Sequence, residues 1–388
     1  MATDGAVHEA PTRRETITYG GAVVSGGLLA GCTGDSSEPT AEAETSTEST
    51  DDSYTVSMAP VGEVSFDSIP QRWVAYDGAY ADMAVALGQA DGIAGIGYAP
   101  RYYTSVYDEL PGVSVDRETI DAYPEVRTKE EFYELDSDVH FYDPEMLINW
   151  FDWDEADVDE IADNVAPFIG NLIFRRSDEW HDYPYYTLYE AFEKLAKVFQ
   201  QEARYEAFKT LHDEFIESIQ ARLPPESERP EVFLTFEGTT EPETFSPYRL
   251  DDKGTSKKQW RDLGVTDALA DTDIDQLSTT DRGELDYENL LEVDPEVILV
   301  RGHERKSPAE FRDTVLAYME AHPVGSQLRA VQNGRVHRGG YLNQGPIHNL
   351  FLTERAAKQL YPDMFGDVTG DAELFDRHQV ADIVTGDS

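Results

Sequence analysis

Apolar positions recur at helical spacing through Tyr186–Leu223: Leu188, Phe192, Leu195 and Phe199, then Phe208, Leu211, Phe215 and Ile219. The stretch holds no proline or glycine and is bracketed by Pro184 and by Pro224–Pro225. At ~1.5 Å per residue an unbroken helix here would reach past about 50 Å, more than the width of a small domain. The stripe changes phase near Gln200-Gln201-Glu202, so the segment is either one helix or two with a break there. In both forms it predicts a strut (186–223) joining two lobes (54–185 and 224–388).

The pattern on the two sides of the strut repeats. Tyr133-Glu134-Leu135-Asp136-Ser137-Asp138-Val139-His140-Phe141-Tyr142 and Leu291-Glu292-Val293-Asp294-Pro295-Glu296-Val297-Ile298-Leu299-Val300 both run apolar, acid, apolar, Asp, small or Pro, acid, Val, then a short apolar run. A helix ending at an acidic turn and feeding a buried parallel strand gives this order. Further strands are predicted at Arg72–Tyr76, Ile93–Gly97, Asn164–Gly170, Glu231–Phe236 and Arg335–Arg338, with a helix from about Ala81 to Leu87. The fold class is therefore α/β: two lobes, each a mainly parallel sheet flanked by helices, joined by a long interdomain helix. In such sheets ligands sit at the carboxyl ends of the strands.

Charge changes the picture of the surface. The 388 residues carry 77 acidic against 31 basic side chains, a formal charge of −46, with aromatic content at 11%. That aromatic content argues for a normal core under a solvated acidic shell, as in halophilic proteins, rather than for disorder. The same field repels nucleic acid, which is excluded as a partner. Arg13-Arg14 precede an uncharged Gly/Ala/Val/Leu-rich run, Thr16–Gly31, too short and glycine-rich for a stable membrane span. It resembles a twin-arginine export signal closed by a lipobox, Leu29-Ala30-Gly31-Cys32. The only cysteine, Cys32, would then carry a lipid through a thioether and begin the mature chain. Residues 33–53, rich in Ser, Thr, Glu and Asp, have no large apolar side chain and read as a tether.

Aromatic and arginine residues gather at the predicted strand ends: Tyr76, Tyr80, Tyr98, Arg101, Tyr102 and Tyr103, then Trp150, Trp153 and Arg175 in the first lobe. The second lobe adds Trp260, Arg301 and Tyr341. Rigid rings give contact area at low entropy cost, and guanidinium groups grip carboxylate or catecholate oxygens in pairs, so the set suits a bulky anionic chelate. Tyr102-Tyr103 could alternatively take ferric ion as phenolates. His303 and His337 fall near cleft loops. The basic loop Arg249–Arg261 is either a local surface patch or an anion-attracting wall. No phosphate-binding Gly-x-x-x-x-Gly-Lys loop, Gly-x-Ser-x-Gly elbow or His-Glu-x-x-His motif occurs, and no catalytic set is assembled.

The order of Arg72…Tyr80…Ala86-Leu87-Gly88, Ile93-Ala94-Gly95-Ile96-Gly97, the paired acidic turns, the strut, and Val331-Gln332-Asn333-Gly334-Arg335-Val336 before a helix ending Tyr361-Pro362-Asp363-Met364-Phe365 resembles the substrate-binding proteins of ABC importers for iron–siderophores, cobalamin and haem. The resemblance covers roughly Tyr54–Val384. It implies an exported, lipid-anchored, monomeric carrier without cofactor. Its ligand would be a ferric-siderophore-like chelate, with cobalamin or haem as the alternative, and its partners an ABC permease with its ATPase. It also implies a permease-contacting acid six residues before the Leu-Gly turn, where Asp82 stands. A chelatase-like cell-surface enzyme and a sensor domain are the rivals from other classes.

Overall fold

The computed structural model describes residues 53–250, 253–270 and 284–387. The export signal, Cys32 and nearly all of the acidic tether lie outside the described residues. An antiparallel hairpin opens the described chain, β1 (Tyr54–Met58) with β2 (Gly62–Phe66). Its alternation turns Val56, Met58, Val64 and Phe66 inward. The first lobe continues as β3 (Trp73–Ala75), α1 (Gly78–Ala86), β4 (Ile93–Ile96), α2 (Arg117–Ala122), α3 (Lys129–Leu135) and β5 (Val139–Phe141). The three strands are parallel in the order β4-β3-β5, and every residue of them is buried, as a sheet covered on both faces requires. After α4 (Pro144–Trp150) and α5 (Glu155–Asn164), the expected fourth strand joins β5 only through the bridge between His140 and Phe168.

The strut is two helices folded back on each other, α6 (Leu188–Val198) and α7 (Glu202–Gln220). Tyr189 meets His212 at 4.4 Å and Phe192 meets Phe208 at 6.0 Å, contacts that only an antiparallel pair can make. The turn is a Schellman motif: Gln200 sits at φ 52°, and the Gln201 amide donates to the Ala196 carbonyl at 2.8 Å. The single rod past 50 Å is thus replaced by a hairpin whose longer arm, α7, spans about 28 Å. Its apolar face (Tyr205, Phe208, Leu211, Phe215, Ile219) joins a core that also contains residues of both sheets.

The second lobe begins with β6 (Glu231–Phe236), β7 (Thr244–Phe245), β8 (Pro247–Tyr248), α8 (Lys258–Asp262), β9 (Thr266–Asp267), β10 (Leu285–Asp286) and α9 (Tyr287–Val293). It then runs through β11 (Val297–Gly302), α10 (Pro308–Phe311), α11 (Ala317–Ala321), α12 (Arg329–Gln332) and β12 (Val336–Tyr341). The helices α13 (Pro346–Leu360), α14 (Pro362–Phe365) and α15 (Arg377–Thr385) end it. β6, β11 and β12 are parallel neighbours, with β8 antiparallel and β9 parallel on the outer side of β6.

The repeated acidic turns are real structural counterparts. Asp136 and Asp294 end α3 and α9 in the left-handed region, at φ 45° and 42°, a conformation that Asp tolerates better than most side chains. Two residues on, the Asp138 carboxylate accepts from the Gln71 and Arg72 amides at 2.8 Å. Glu296 accepts from the Glu231 amide at 3.4 Å, so each acid anchors the entry of the neighbouring strand.

His140, in the middle of β5, packs against Phe132 at 4.7 Å and Phe168 at 4.9 Å. Burial lowers it from 6.5 to about 3. Its contribution to stability is present above 6.5 and is lost as pH falls through that value towards 3. The wild type should therefore lose about 2 kcal/mol from this group on going from neutral pH to about pH 5, a loss that His140→Phe should lack. Urea midpoints at the two pH values measure it.

Candidate functional site

The carboxyl ends of β3, β4 and β5 carry an aromatic and guanidinium wall. Tyr76 leaves β3 and packs against Tyr142, Phe151 and Trp150 at 5.6, 6.1 and 6.4 Å. Trp150 closes α4, whose N-terminus is held by Asp143 accepting from the Glu145 amide at 3.1 Å. The Arg175 guanidinium lies 4.5 Å over the Trp150 ring, while its Nε donates to Asp178 at 2.5 Å. Arg175 is thus a neutralised part of the wall rather than a free anchor. Burial pushes the Tyr76 hydroxyl up to about 12, against the opposing pull of Arg101, Arg127 and Arg175. It stays a neutral hydrogen-bonding group.

Tyr98 is the centre of the wall. Arg101 stands 5.0 Å over its ring and Arg127 5.4 Å. Arg127 was not foreseen in the sequence. The segment 124–127 is zipped to the end of β4: the Ala99 amide donates to Pro124 at 3.0 Å and the Val126 amide to Gly97 at 3.2 Å. Trp153, buried in the core, fixes the register by donating its indole N–H to the Arg127 carbonyl at 2.8 Å. The Nε atoms of Arg101 and Arg127 are buried and have no hydrogen-bond partner among the described residues. Buried guanidinium N–H groups left open in this way await an acceptor.

The second lobe faces this wall with His303, 6.2 Å from Tyr98, and with Phe236 and Tyr248. The His303 amide donates to Glu237 at 2.7 Å, which fixes the loop after β11. Burial, then the charges of Arg101 and Arg305, lower His303 to about 4, so the imidazole is neutral at ordinary pH. His337 lies within β12, opposite Leu299, rather than in a cleft loop.

Several expected ligand residues turn inward instead. Tyr80 is 4% exposed, donating to the Asn171 carbonyl at 2.8 Å beside Phe141. Tyr102 is 3% exposed with its hydroxyl 2.9 Å from that of Tyr107, so its oxygen is enclosed in the core rather than offered to a ferric ion. Trp260 is fully buried in the core. Arg301 is buried under Tyr248 and Trp260 and donates to the Ser256 carbonyl at 2.7 Å, so it supports the turn instead of the ligand. Asp82, expected as a surface contact for a permease, is fully buried between the lobes. In the basic loop, Arg249 pairs with Asp267 at 3.1 Å and Lys258 with Asp262 at 2.5 Å, favouring the local-patch reading.

The lobes meet closely around the gap. The Thr255 amide donates to the Ile173 carbonyl at 2.9 Å, and Asn343 donates to the buried Asp77 that caps α1. Gly254 and Gly345 permit this approach. A Cβ on Gly254 would lie 2.3 Å from the Phe174 carbonyl oxygen, and one on Gly345 2.5 Å from that of Ala79. Tyr103 of the first lobe stacks on Tyr341 of the second at 4.5 Å.

Residues 74–340 match the family described as periplasmic binding protein. No curated protein sequence matches the chain. A periplasmic binding protein from Veillonella parvula shares the fold with a TM-score of 0.56 at 15% identity, covering 80% of this chain and 97% of its own. CeuE of Helicobacter pylori, solved with Ni(II) bound, superposes with a TM-score of 0.56 at 15% identity over 80% of this chain and 90% of its own. The iron uptake ABC transporter substrate-binding protein PiuA of Streptococcus pneumoniae gives 0.54 at 18% identity, over 77% and 96%.

Proposed function

Because this chain belongs to the periplasmic binding protein family, we propose that it captures a ferric-siderophore-like chelate outside the cytoplasmic membrane and delivers it, unchanged, to an ABC permease and its ATPase. The observation that carries this reading is the pair Arg101 and Arg127 stacked on Tyr98, each with a buried, unpartnered Nε–H, at the gap between the lobes. A metal chelate with anionic oxygens would accept those bonds while its bulk lies on Tyr76, Tyr98 and Trp150. The iron-uptake role of PiuA and the Fe3+-hydroxamate transport role of a like-folded protein from Saccharomonospora viridis favour the same ligand class. Residues 54–185 and 224–388 act as the two ligand-holding lobes around the hairpin 186–223, in a monomer. The twin-arginine signal exports it and a lipid on Cys32 holds it at the outer face of the membrane, so Cys32→Ser should release it into the medium.

Trp150 gives the test. Adding ferric chelate should quench tryptophan emission stoichiometrically and without turnover of the chelate. Trp150→Phe together with Trp180→Phe should remove most of the quench, because these two rings pack on each other at 5.8 Å, whereas Trp73 and Trp260 are fully buried and Trp153 is nearly so. Turnover of the chelate, or a full quench in the double variant, would refute the carrier reading.

A further inference from the structure

A cavity of about 280 Å³ lies between the lobes, and none of Tyr76, Tyr98, Arg101, Arg127, Trp150 or Arg175 lines it. The stacked pair Tyr103 and Tyr341 forms one wall. The outer face of α13 forms another, through Phe351, Leu352, Arg355 and Lys358. Arg338 and Arg377 complete a set of four cations around it, against the three acids Glu109, Glu304 and Glu354. Glu304 holds Arg338 and Arg355 at 3.0 and 2.9 Å, and Glu354 holds Arg377 and Lys358, each at 3.0 Å. In a chain whose formal charge is −46, a net positive lining is a local reversal of sign.

Three of the lining residues carry a buried polar atom without a hydrogen-bond partner among the described residues, and each of these atoms can donate. The Tyr341 hydroxyl has no hydrogen-bond partner among the described residues although the side chain is 4% exposed. Arg377, 6% exposed, likewise has a buried Nε–H without a hydrogen-bond partner, with the Glu109 carboxylate 3.7 Å off. The Arg338 Nε–H is a third. Unpartnered buried donors beside an apolar floor define what is missing, an acceptor with an apolar body.

We propose that this side cavity is a second ligand site, taking a small organic carboxylate whose oxygens accept from Tyr341 and the flanking guanidinium groups while its apolar body lies on Phe351 and Leu352. Its walls come from both lobes, so an occupant touches each of them. None of the residues that carry the chelate assignment lines this cavity, so the proposal does not depend on that assignment.

Fluorine NMR of fluorobenzoate with the full-length protein, at fixed ionic strength, tests it against the neutral isostere fluorobenzamide. Fluorobenzoate should broaden and the amide should not. Tyr341→Phe, which keeps the stack on Tyr103 and removes only an unpartnered hydroxyl, should weaken binding about fivefold. Arg101→Ala should leave it unchanged. The proposal falls if fluorobenzoate does not bind, if the amide binds equally, or if Arg101→Ala removes binding that Tyr341→Phe leaves intact, since the carboxylate would then occupy the chelate gap.

Discussion

Replacing Arg101 and Arg127 together with alanine is expected to weaken ferric-chelate binding by about 100-fold while leaving stability nearly unchanged. Hydrogen bonds to charged groups contribute ~1.5–3 kcal/mol each, and ~1.4 kcal/mol is a factor of ten in affinity. The two guanidinium groups share the Tyr98 ring, so their effects should not simply add. Stability should hold because the fold asks little of either side chain. The Arg101 Nε has no hydrogen-bond partner among the described residues, and the ion pair of Arg127 with Glu125, 2.9 Å long, is solvent-exposed and contributes ~0–1 kcal/mol. Titration calorimetry of the double variant beside its urea midpoint separates the two effects. Unchanged affinity would remove the anion-gripping role from this wall.

Much of the framework was legible because parallel strands covered on both faces leave uninterrupted apolar runs. Glu231–Phe236 is a strand with the bounds its sequence predicts. The two acidic turns could be matched because both place Asp at a left-handed helix end. The strut hid its fold-back for a local reason. The phase change at Gln200 marks the break, but the turn puts glutamine, not glycine, at positive φ, so no residue type announced a reversal. Site residues were harder to read than strands. A strand-end loop has a side facing the gap and a side facing the core, and composition does not separate them. Tyr76 and Tyr98 face the gap, whereas Tyr80, Tyr102 and Arg301 lie underneath. Arg127 had no local signal, because it reaches Tyr98 only through pairing of 124–126 with the end of β4 and the clamp from Trp153.

Asp82→Ala is expected to cost about 3–5 kcal/mol, because this one carboxylate ties the lobes at their most buried point. Asp82 lies on α1 of the first lobe and accepts from the His348 amide, in the first turn of α13, at 3.0 Å. It also accepts from Tyr107 at 2.7 Å. The residue before α13 is Gly345, which offers no side-chain cap, so the first lobe supplies the cap that the second lacks. Alanine would strand both donors without water to replace the acceptor. Asparagine keeps the volume and one acceptor oxygen, so Asp82→Asn should recover part of the loss. Its pH dependence should also differ. Burial, opposed by His348 and Tyr107, raises the Asp82 carboxyl above 3.8. Its contribution is therefore fully present below that value and declines as pH rises through the folded value, a component the asparagine variant lacks. Urea unfolding across the acid range reads both variants, and small-angle scattering reads whether the alanine variant lets the lobes part. An Asp82→Ala protein within about 0.5 kcal/mol of wild type would mean that the lobes are held elsewhere, by the 173–174 and 255–256 backbone contacts and the Tyr103–Tyr341 stack.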